Sequence, residues 1–261
     1  MLLFLVFLVI VLLITNIWVG SRYLDYRSKL KQRGFVKNWP IPLVLLDQLH
    51  PSFVTNDLGP TLLSQVKFVG KGNLNVLGGT SDSEAWILAV LSKTSRNIFE
   101  FGTCTGKTTY LLAANSPEDA KITTLTLRPD QLNSYEKKGT DGKDAIHDAL
   151  QESVFTKFLY SNTPEEKKIR QLFGDSKHFD ETPYEKLMDL IFIDGSHAYS
   201  YVMSDTEKAL KMIAPGGIIL WHDYRGPRQT QDVFKALNQL SKKMKLFHIK
   251  ETSLVAFKAA Q

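Results

Sequence analysis

Little in this 261-residue chain suits a secreted, disulfide-stapled protein. It holds one cysteine, Cys104, so no intramolecular disulfide framework is available, and a lone thiol fits a reducing compartment. No Asn-x-Ser/Thr acceptor with a permitted middle residue occurs, in line with the same compartment. Charge is missing altogether from residues 1–19, and the whole chain carries only a modest basic excess, +5. A basic chain invites a nucleic-acid partner, but this excess is local. Residues 20–37 hold Arg22, Arg27, Lys29, Lys31, Arg33 and Lys37 against Asp25 alone, which accounts for all of it. Residues 38–261 are neutral overall, so no basic groove and no nucleic-acid partner is expected. Internal repeats are lacking too. At 43% hydrophobic and 23% charged residues the chain as a whole is ordinary globular material, long enough for one substantial core.

What is present begins with an apolar run from Leu2 to Ile14, extended by Ile17, Trp18 and Val19. As a helix it would span roughly 27 Å, a short but adequate crossing of a bilayer core of about 30 Å. A cleaved signal peptide needs basic residues before the run and a small-residue cleavage site after it. Here the charge follows the run, and Trp18, Tyr23 and Tyr26 fall where interfacial aromatics belong. The segment therefore reads as an uncleaved transmembrane anchor. The positive-inside rule puts everything after Arg22 in the cytosol, with the basic patch against anionic lipid. The expected organisation is an anchor over 1–20, a basic juxtamembrane segment with accessory helices over 21–75, and a folded domain over 76–261.

From residue 76 short β-rich runs alternate with helical ones. The runs are Asn97–Phe101, Lys121–Leu127, Ile169–Phe173, Leu187–Ile193, Gly217–Trp221, Met244–Ile249 and Leu254–Phe257. Helical spacing links Val202, Thr206, Ala209 and Ile213, and again Val233, Leu237 and Leu240. An insertion over 139–160 reads as helical around 145–158. Such alternation predicts an α/β fold with a doubly wound, mostly parallel sheet, the last two runs forming a terminal hairpin. Ligands of such sheets bind outside the carboxyl ends of the strands, so the residues standing there carry the functional argument.

After the first run comes Glu100-Phe101-Gly102-Thr103-Cys104-Thr105-Gly106-Lys107-Thr108-Thr109. A phosphate-binding P-loop needs four residues between its glycines; Gly102 and Gly106 enclose three, and an ATPase is set aside on that spacing. An acid followed by G-x-x-x-G at a strand–helix turn lets backbone approach a ligand closely and turns a helix amino terminus toward a carboxylate. Further on stand Asp194-Gly195-Ser196-His197-Ala198-Tyr199, then Ala214-Pro215-Gly216-Gly217 leading to Trp221-His222-Asp223-Tyr224. In this order and spacing the chain resembles a class I S-adenosylmethionine-dependent methyltransferase, of the small-molecule O-methyltransferase kind, over roughly residues 76–258.

The resemblance implies a Rossmann-like, seven-stranded sheet with its last strand antiparallel, S-adenosylmethionine as cofactor and a small-molecule acceptor. It assigns cofactor binding to Glu100, Gly102, Thr103 and Gly106, and to Asp175 and Ser176 beside the adenine. The family places an acid at the end of the second strand to grip the ribose hydroxyls, and Thr126 stands there instead. A threonine offers no charge-assisted pair of bonds, so a non-catalytic, methyltransferase-like binding domain is the alternative. At the ends of the fourth and fifth strands Asp194, His222 and Asp223 combine carboxylates with an imidazole, a composition suited to Mg²⁺ or Mn²⁺. These three resemble the metal site of the catechol-type and macrocin-type enzymes, which usually have Asp where His222 stands. A metal there would acidify an acceptor hydroxyl, with His197 as candidate base and Asp194 also catalytic. A metal-independent transferase using His197 or His222 as base is the other alternative. Cys104 reads as packing near the cofactor, Lys107 as a solvated first-turn residue, and Arg225 and Arg228 as either the rim of the pocket or the anchor of an acidic acceptor.

Overall fold

The computed structural model describes the backbone of residues 2–35, 39–72, 74 and 77–261. It divides into two compact units, Met1–Pro40 and Ile41–Gln261. The first consists of one helix, α1 (Leu2–Phe35), whose side chains are described at Phe4 and over 8–24. The apolar side chains from Leu8 to Ile14 and from Ile17 to Val19 are exposed, and the Arg22 guanidinium lies over the Trp18 ring, 5.5 Å from its centroid. Among the described residues no helix is long and apolar enough to cross a membrane. The transmembrane anchor, the single-pass topology with a cytosolic domain and the lipid contact through the basic segment expected above are corrected accordingly. Of the basic patch, all but Arg22 lies outside the residues whose side chains are described.

The second unit opens on a short edge strand. Leu43–Val44 (β1) forms an edge strand, followed by a single-turn helix α2 (Leu46–Leu49) and a small hairpin of β2 (Thr55–Asn56) and β3 (Gly59–Pro60). The expected boundary between 75 and 76 lies outside the described residues. Then come α3 (Asp82–Ser92), β4 (Asn97–Phe101), α4 (Lys107–Asn115), β5 (Lys121–Thr126), α5 (Lys143–Glu152), β6 (Ile169–Phe173), β7 (Met188–Ile193), α6 (Tyr199–Met212), β8 (Ile213–Trp221), α7 (Gln231–Leu240), β9 (Phe247–Ile249) and β10 (Val255–Lys258).

The sheet runs β1-β9-β10-β8-β7-β4-β5-β6. Its pairs are parallel except for β10, which is antiparallel to both β8 and β9. The seven expected strands are all present, and β1 adds an eighth beside β9. Its two residues, wedged between Pro42 and a helix, are too few to show a period. The other difference is β8, which begins at Ile213 and carries Pro215-Gly216-Gly217 inside the strand, with a register shift opposite Met188–Leu190.

Both faces of the sheet are covered. On one, Ile98, Ile122, Leu190, Phe192 and Leu220 pack against Ile87, Leu88 and Leu91 of α3 and Leu112 of α4. On the other, Phe99 and Phe101 gather Phe179 and Tyr184, with ring centroids 4.7–6.4 Å apart. Fully burying each such side chain contributes roughly 1.5–3 kcal/mol, and strand alternation assigns them to opposite faces. Glu100 falls by the same alternation on the face of Ile98, toward α4.

Candidate active site

The hydrogen-bond ladder runs one residue past the strands. The amide of Gly174 donates to Thr126, Gly102 to Leu125, Asp194 to Phe101 and His222 to Ile193, all within 2.8–3.1 Å. Gly102, Asp194 and His222 therefore stand in a row along the carboxyl edge. The row is tight. A Cβ on Gly102 (φ +97°) would lie 2.1 Å from the carbonyl oxygen of Asp194, so only glycine allows β4 and β7 to end this close together.

Two clefts open along this edge. One spans about 530 Å³, open solvent at its mouth included, and runs from Asp194 and Gly195 past Gly102 and Thr126 to Gly174, Asp175 and Ser176, roofed by Tyr135, Ala149 and Tyr201. Four carboxylates line it, those of Glu152, Asp175, Asp194 and Asp205, and no Lys, Arg or His does. The other spans about 1050 Å³, open solvent included, and is more polar, with Lys71, Ser81, His197, His222, Asp223 and Arg225 among its walls. Cys104, Glu152 and Asp194 belong to both.

Of the expected cofactor residues, Gly102, Thr126, Asp175 and Ser176 line the first cleft; Glu100, Thr103 and Gly106 do not. Glu100 is wholly buried beneath the glycine loop. Its Oε2 accepts from the hydroxyls of Thr109 and Thr124, and its Oε1 has no partner among the described residues. Burial, with a further push from Asp194, raises its pKa to about 8 against the opposing hydroxyl bonds. Thr103 is drawn the same way, sharing a 2.7 Å hydrogen bond with Thr124 and accepting from Gln171. Gly106 (φ +75°) starts α4 beneath Phe158 and Tyr160. Asp175 lines the cleft but spends its oxygens on the chain: Oδ1 accepts from the Lys177 amide, Oδ2 from the Tyr201 hydroxyl at 2.6 Å and the Glu136 amide.

At the second cleft the carboxylates and imidazoles interlock. His222 Nδ1 lies 2.8 Å from Asp194 Oδ1 and 3.3 Å from Asp223 Oδ2, while its Nε2 lies 3.3 Å from Glu84 Oε2. Burial opposes a charge on this ring, but Asp194 and Asp223 overcome it and hold the pKa well above the usual value. Both nitrogens of His222 are thus turned to carboxylates. His197 instead completes the group: ligand atoms of Asp194, His197 and Asp223 lie within 4.8 Å of one another. His197 Nε2 is 2.7 Å from Asp223 Oδ2. Against burial, Asp223, then Glu152 and Asp194, raise its pKa to about 9. Asp223 (φ +62°) also meets Arg225 Nη2 at 2.7 Å.

Three acids at this site carry no strand-end motif. Glu84 sits in α3, where Ser81 and Glu84 form a reciprocal capping box; that S-x-x-E pattern before an apolar run was readable in advance. Glu152 ends α5, and burial lifts its carboxyl to about 7; nothing in the sequence marks it. Asp205 interrupts the buried face of α6 between Val202 and Thr206, and an acid on an apolar stripe was its signal. Of Cys104 and Lys107, only Lys107 differs from expectation. Burial, with Glu152 nearby, pushes the Cys104 thiol up to about 12, so it is no nucleophile. Lys107 is buried, not solvated, and burial lowers its pKa.

Residues 99–224 match the family model of a methyltransferase domain. A protein of Acanthamoeba polyphaga mimivirus described as "Uncharacterized protein R132" is 36% identical over 53 residues, 20% of this chain and 24% of that one. The chain thus spans about a quarter of the length of that relative. Among solved structures, the O-methyltransferase TomG of Streptomyces achromogenes, in complex with S-adenosylmethionine, is 16% identical, with 72% of this chain and 84% of that one covered and a TM-score of 0.47. The methyltransferase PaMTH1 of Podospora anserina, bound to S-adenosylhomocysteine, is 15% identical over 70% and 80%, with a TM-score of 0.49. An O-methyltransferase of Bacillus cereus, in complex with S-adenosylhomocysteine, is 17% identical over 72% and 85%, with a TM-score of 0.45.

Proposed function

We propose that this chain, whose residues 99–224 match the family model of a methyltransferase domain, is a class I, S-adenosylmethionine-dependent enzyme that methylates the hydroxyl of a small molecule with the help of a divalent cation. The observation that carries the reading is the meeting of two unlike clefts at Cys104, Glu152 and Asp194. The first suits the donor. S-adenosylmethionine supplies a methyl group activated on a positively charged sulfur, and a cleft lined by acids, Asp175 and Asp194 among them, with no basic side chain among the described residues, favours a cationic ligand by Coulomb attraction in a weakly polar setting. The same lining disfavours a phosphate.

The second cleft suits a polar acceptor and a cation. The donor set of Asp194, His197 and Asp223, two carboxylates and one imidazole within 4.8 Å, fits Mg²⁺ or Mn²⁺ by composition. Such a cation would lower the pKa of an acceptor hydroxyl and fix its orientation. The chain's own residues do the rest. His222, locked between Asp194 and Glu84, holds Asp194 in place. Glu152, with a carboxyl near neutrality at the junction of the clefts, is placed to take the hydroxyl proton. Tyr135 and Ala149 over the donor cleft keep water from it, and holding both partners in one edge supplies the positioning that dominates such transfers.

A second reading rests on the 2.7 Å pair of His197 and Asp223, which serves as an acid–base dyad without any cation. One series of measurements on the full chain separates these. Calorimetric titration with S-adenosylmethionine, with Mg²⁺ or Mn²⁺ present, should give a saturable heat; none at millimolar concentration refutes the methyltransferase reading. Activity lost in EDTA and restored by Mn²⁺ supports the cation, whereas activity retained in EDTA supports the dyad. Under either, Asp223→Asn should lower kcat by about 10²-fold or more, while binding of S-adenosylhomocysteine stays within a few-fold. Asparagine tolerates the positive φ at this position, which keeps the test clean.

A further inference from the structure

The second cleft holds two cations that the reading above leaves without a task. Lys71 and Arg225 line it, whereas Arg228, the other arginine of the loop after β8, does not. Each lining cation sits on a loop whose backbone the chain ties down by other bonds. Asp82, in the first turn of α3, accepts from the amides of Lys71 and Gly72 at 2.7 and 3.1 Å. Beyond β8 the Arg225 amide donates to the Asp223 carbonyl and to the Thr230 hydroxyl, which itself donates to that carbonyl. The backbone is thus fixed and the two side chains are left to the cleft. Among the described residues the Lys71 ammonium makes no contact ion pair, and it shares its surroundings with Asp82 and a second cation, Lys107. Arg225 brings Nη2 to 2.7 Å from Asp223 Oδ1, and its side chain is still 44% exposed.

The acids facing these cations are largely engaged elsewhere. Asp194 meets His222 at 2.8 Å and Asp223 meets His197 at 2.7 Å, so each of those carboxylates has its own imidazole. Against Lys71 and Arg225 this leaves Asp148, exposed on α5, and Glu152, whose carboxyl lies near neutrality at the junction with the donor cleft. Neither cation lines the donor cleft, so the positive charge stands away from the junction. A guanidinium with one nitrogen engaged still offers others to a carboxylate or phosphate, and an ammonium adds a second point charge. Asp223 also relates this end of the cleft to the reacting end, since its Oδ1 meets Arg225 and its Oδ2 meets His197. A group held by Arg225 and a hydroxyl beside His197 would flank one carboxylate, a separation on the scale of a single aromatic ring.

We propose that the acceptor is an anionic hydroxy compound, its carboxylate or phosphate held by Arg225 and Lys71 while its hydroxyl faces the methyl donor. The proposal rests on the methyltransferase reading above and names the class of acceptor that the second cleft takes.

The test is calorimetric binding to the full chain saturated with S-adenosylhomocysteine, in EDTA so that no added metal contributes to the preference. The probes are two matched pairs, para-hydroxybenzoate with para-hydroxybenzamide and para-hydroxyphenyl phosphate with hydroquinone. The wild-type protein should bind the anionic member of at least one pair about 5-fold or more tighter than its neutral twin, a modest factor because both cations are partly exposed. Preference in the first pair identifies a carboxylate, and in the second a phosphate. Arg225→Gln and Lys71→Gln should each reduce the preference and together bring it within about 2-fold, while Arg225→Lys, which keeps the charge but loses the planar fork, should retain part of it. Arg228→Gln should leave it unchanged. If the variants weaken both members of a pair alike, Arg225 and Lys71 only support the cleft and the proposal falls. It falls too if the wild type binds S-adenosylhomocysteine but prefers neither anionic probe, or binds none of the four. Folded wild-type protein that does not bind S-adenosylhomocysteine overturns the methyltransferase reading instead. If Arg225→Gln does not fold, Lys71→Gln decides, and an undiminished preference there is fatal.

Discussion

At the scale of the residue, Gly102 sets the geometry of the site. It must hold a backbone of φ +97° and leave room for the Asp194 carbonyl, which a Cβ would approach to 2.1 Å. The neighbouring Gly195 lies 3.6 Å or more from its nearest neighbours when given a Cβ, so only the first glycine is under steric compulsion. Gly102→Ala is therefore expected to lose about 3 kcal/mol or more, combining a strained backbone with overpacking against main chain that cannot yield. Gly195→Ala is expected to lose much less. Urea unfolding of the two variants checks this, and a Gly102→Ala loss below about 1 kcal/mol would contradict the close approach of β4 and β7. Asp223 illustrates the opposite compromise: a non-glycine residue held at φ +62°, strain that persists because three cationic groups, His197, His222 and Arg225, converge on its carboxylate.

At the scale of the element, Glu84 ties together parts of the chain that share no local pattern. It caps the amino terminus of α3 through Ser81, accepts from the amide and hydroxyl of Ser253 in the β9–β10 turn, and meets His222 at the end of β8. Partial burial opposes its charge, yet the bond and charge of His222 and the two serines hold its carboxyl far below the usual range. Glu84→Ala should cost about 3–5 kcal/mol, because it strands a buried imidazolium and a buried amide. Ser81→Ala should cost only about 1 kcal/mol, the value of a helix cap. Similar losses for the two, read from chemical denaturation, would refute the idea that Glu84 acts as more than a cap. The contrast also shows what was legible beforehand. Strands such as Asn97–Phe101 and Ile169–Phe173 announced themselves as β-rich runs between helical ones, and Asp194, His197 and Asp223 could be found because they follow strands directly. Glu84, Glu152 and Asp205 arrive from helices packed across the sheet, and Glu84 is 138 residues from the histidine it meets; no local spacing encodes such a meeting. The start of β8 was hidden for a different reason, since Pro215-Gly216-Gly217 has the composition of a turn while Gly216 (φ +76°) and Gly217 serve a bulged strand start. The membrane reading of the first segment took an apolar run as sufficient, whereas among the described residues no helix is long and apolar enough to cross a membrane.

At the scale of the whole molecule, the buried ionisable groups give the fold a pH profile whose sign can be worked out for the cation-free protein. Glu84 and Asp223 have folded pKa values well below their ordinary ones, and Glu181 is lowered to about 2, chiefly by Lys211. Each contributes stability that is present above its unfolded pKa, near 4, and is lost as pH falls through the folded value. The second set is shifted upward. His197 is raised to about 9 and His222 also lies well above its usual value, so their contribution is complete below about 6.5 and lost as pH rises through the folded pKa. Glu100 at about 8, with Glu152 and Asp205 at about 7, retain protons in the folded state that the unfolded chain has already released above about 4.5. They too make stability fall as pH rises between those values. The two sets therefore cross in mildly acid solution. The unfolding midpoint in EDTA should be highest between roughly pH 4 and 5, where the unfolded carboxyls titrate, and decline steadily toward pH 9. Glu100→Gln isolates one contribution, since it removes the charge while keeping an oxygen for Thr109 and Thr124. It should lessen the decline between pH 6 and 9 and leave stability at pH 5 within about 1 kcal/mol of wild type. A profile that rises from pH 6 to 9, or a Glu100→Gln slope equal to that of the wild type, would mean that the carboxyl beneath the glycine loop is ionised in the folded protein.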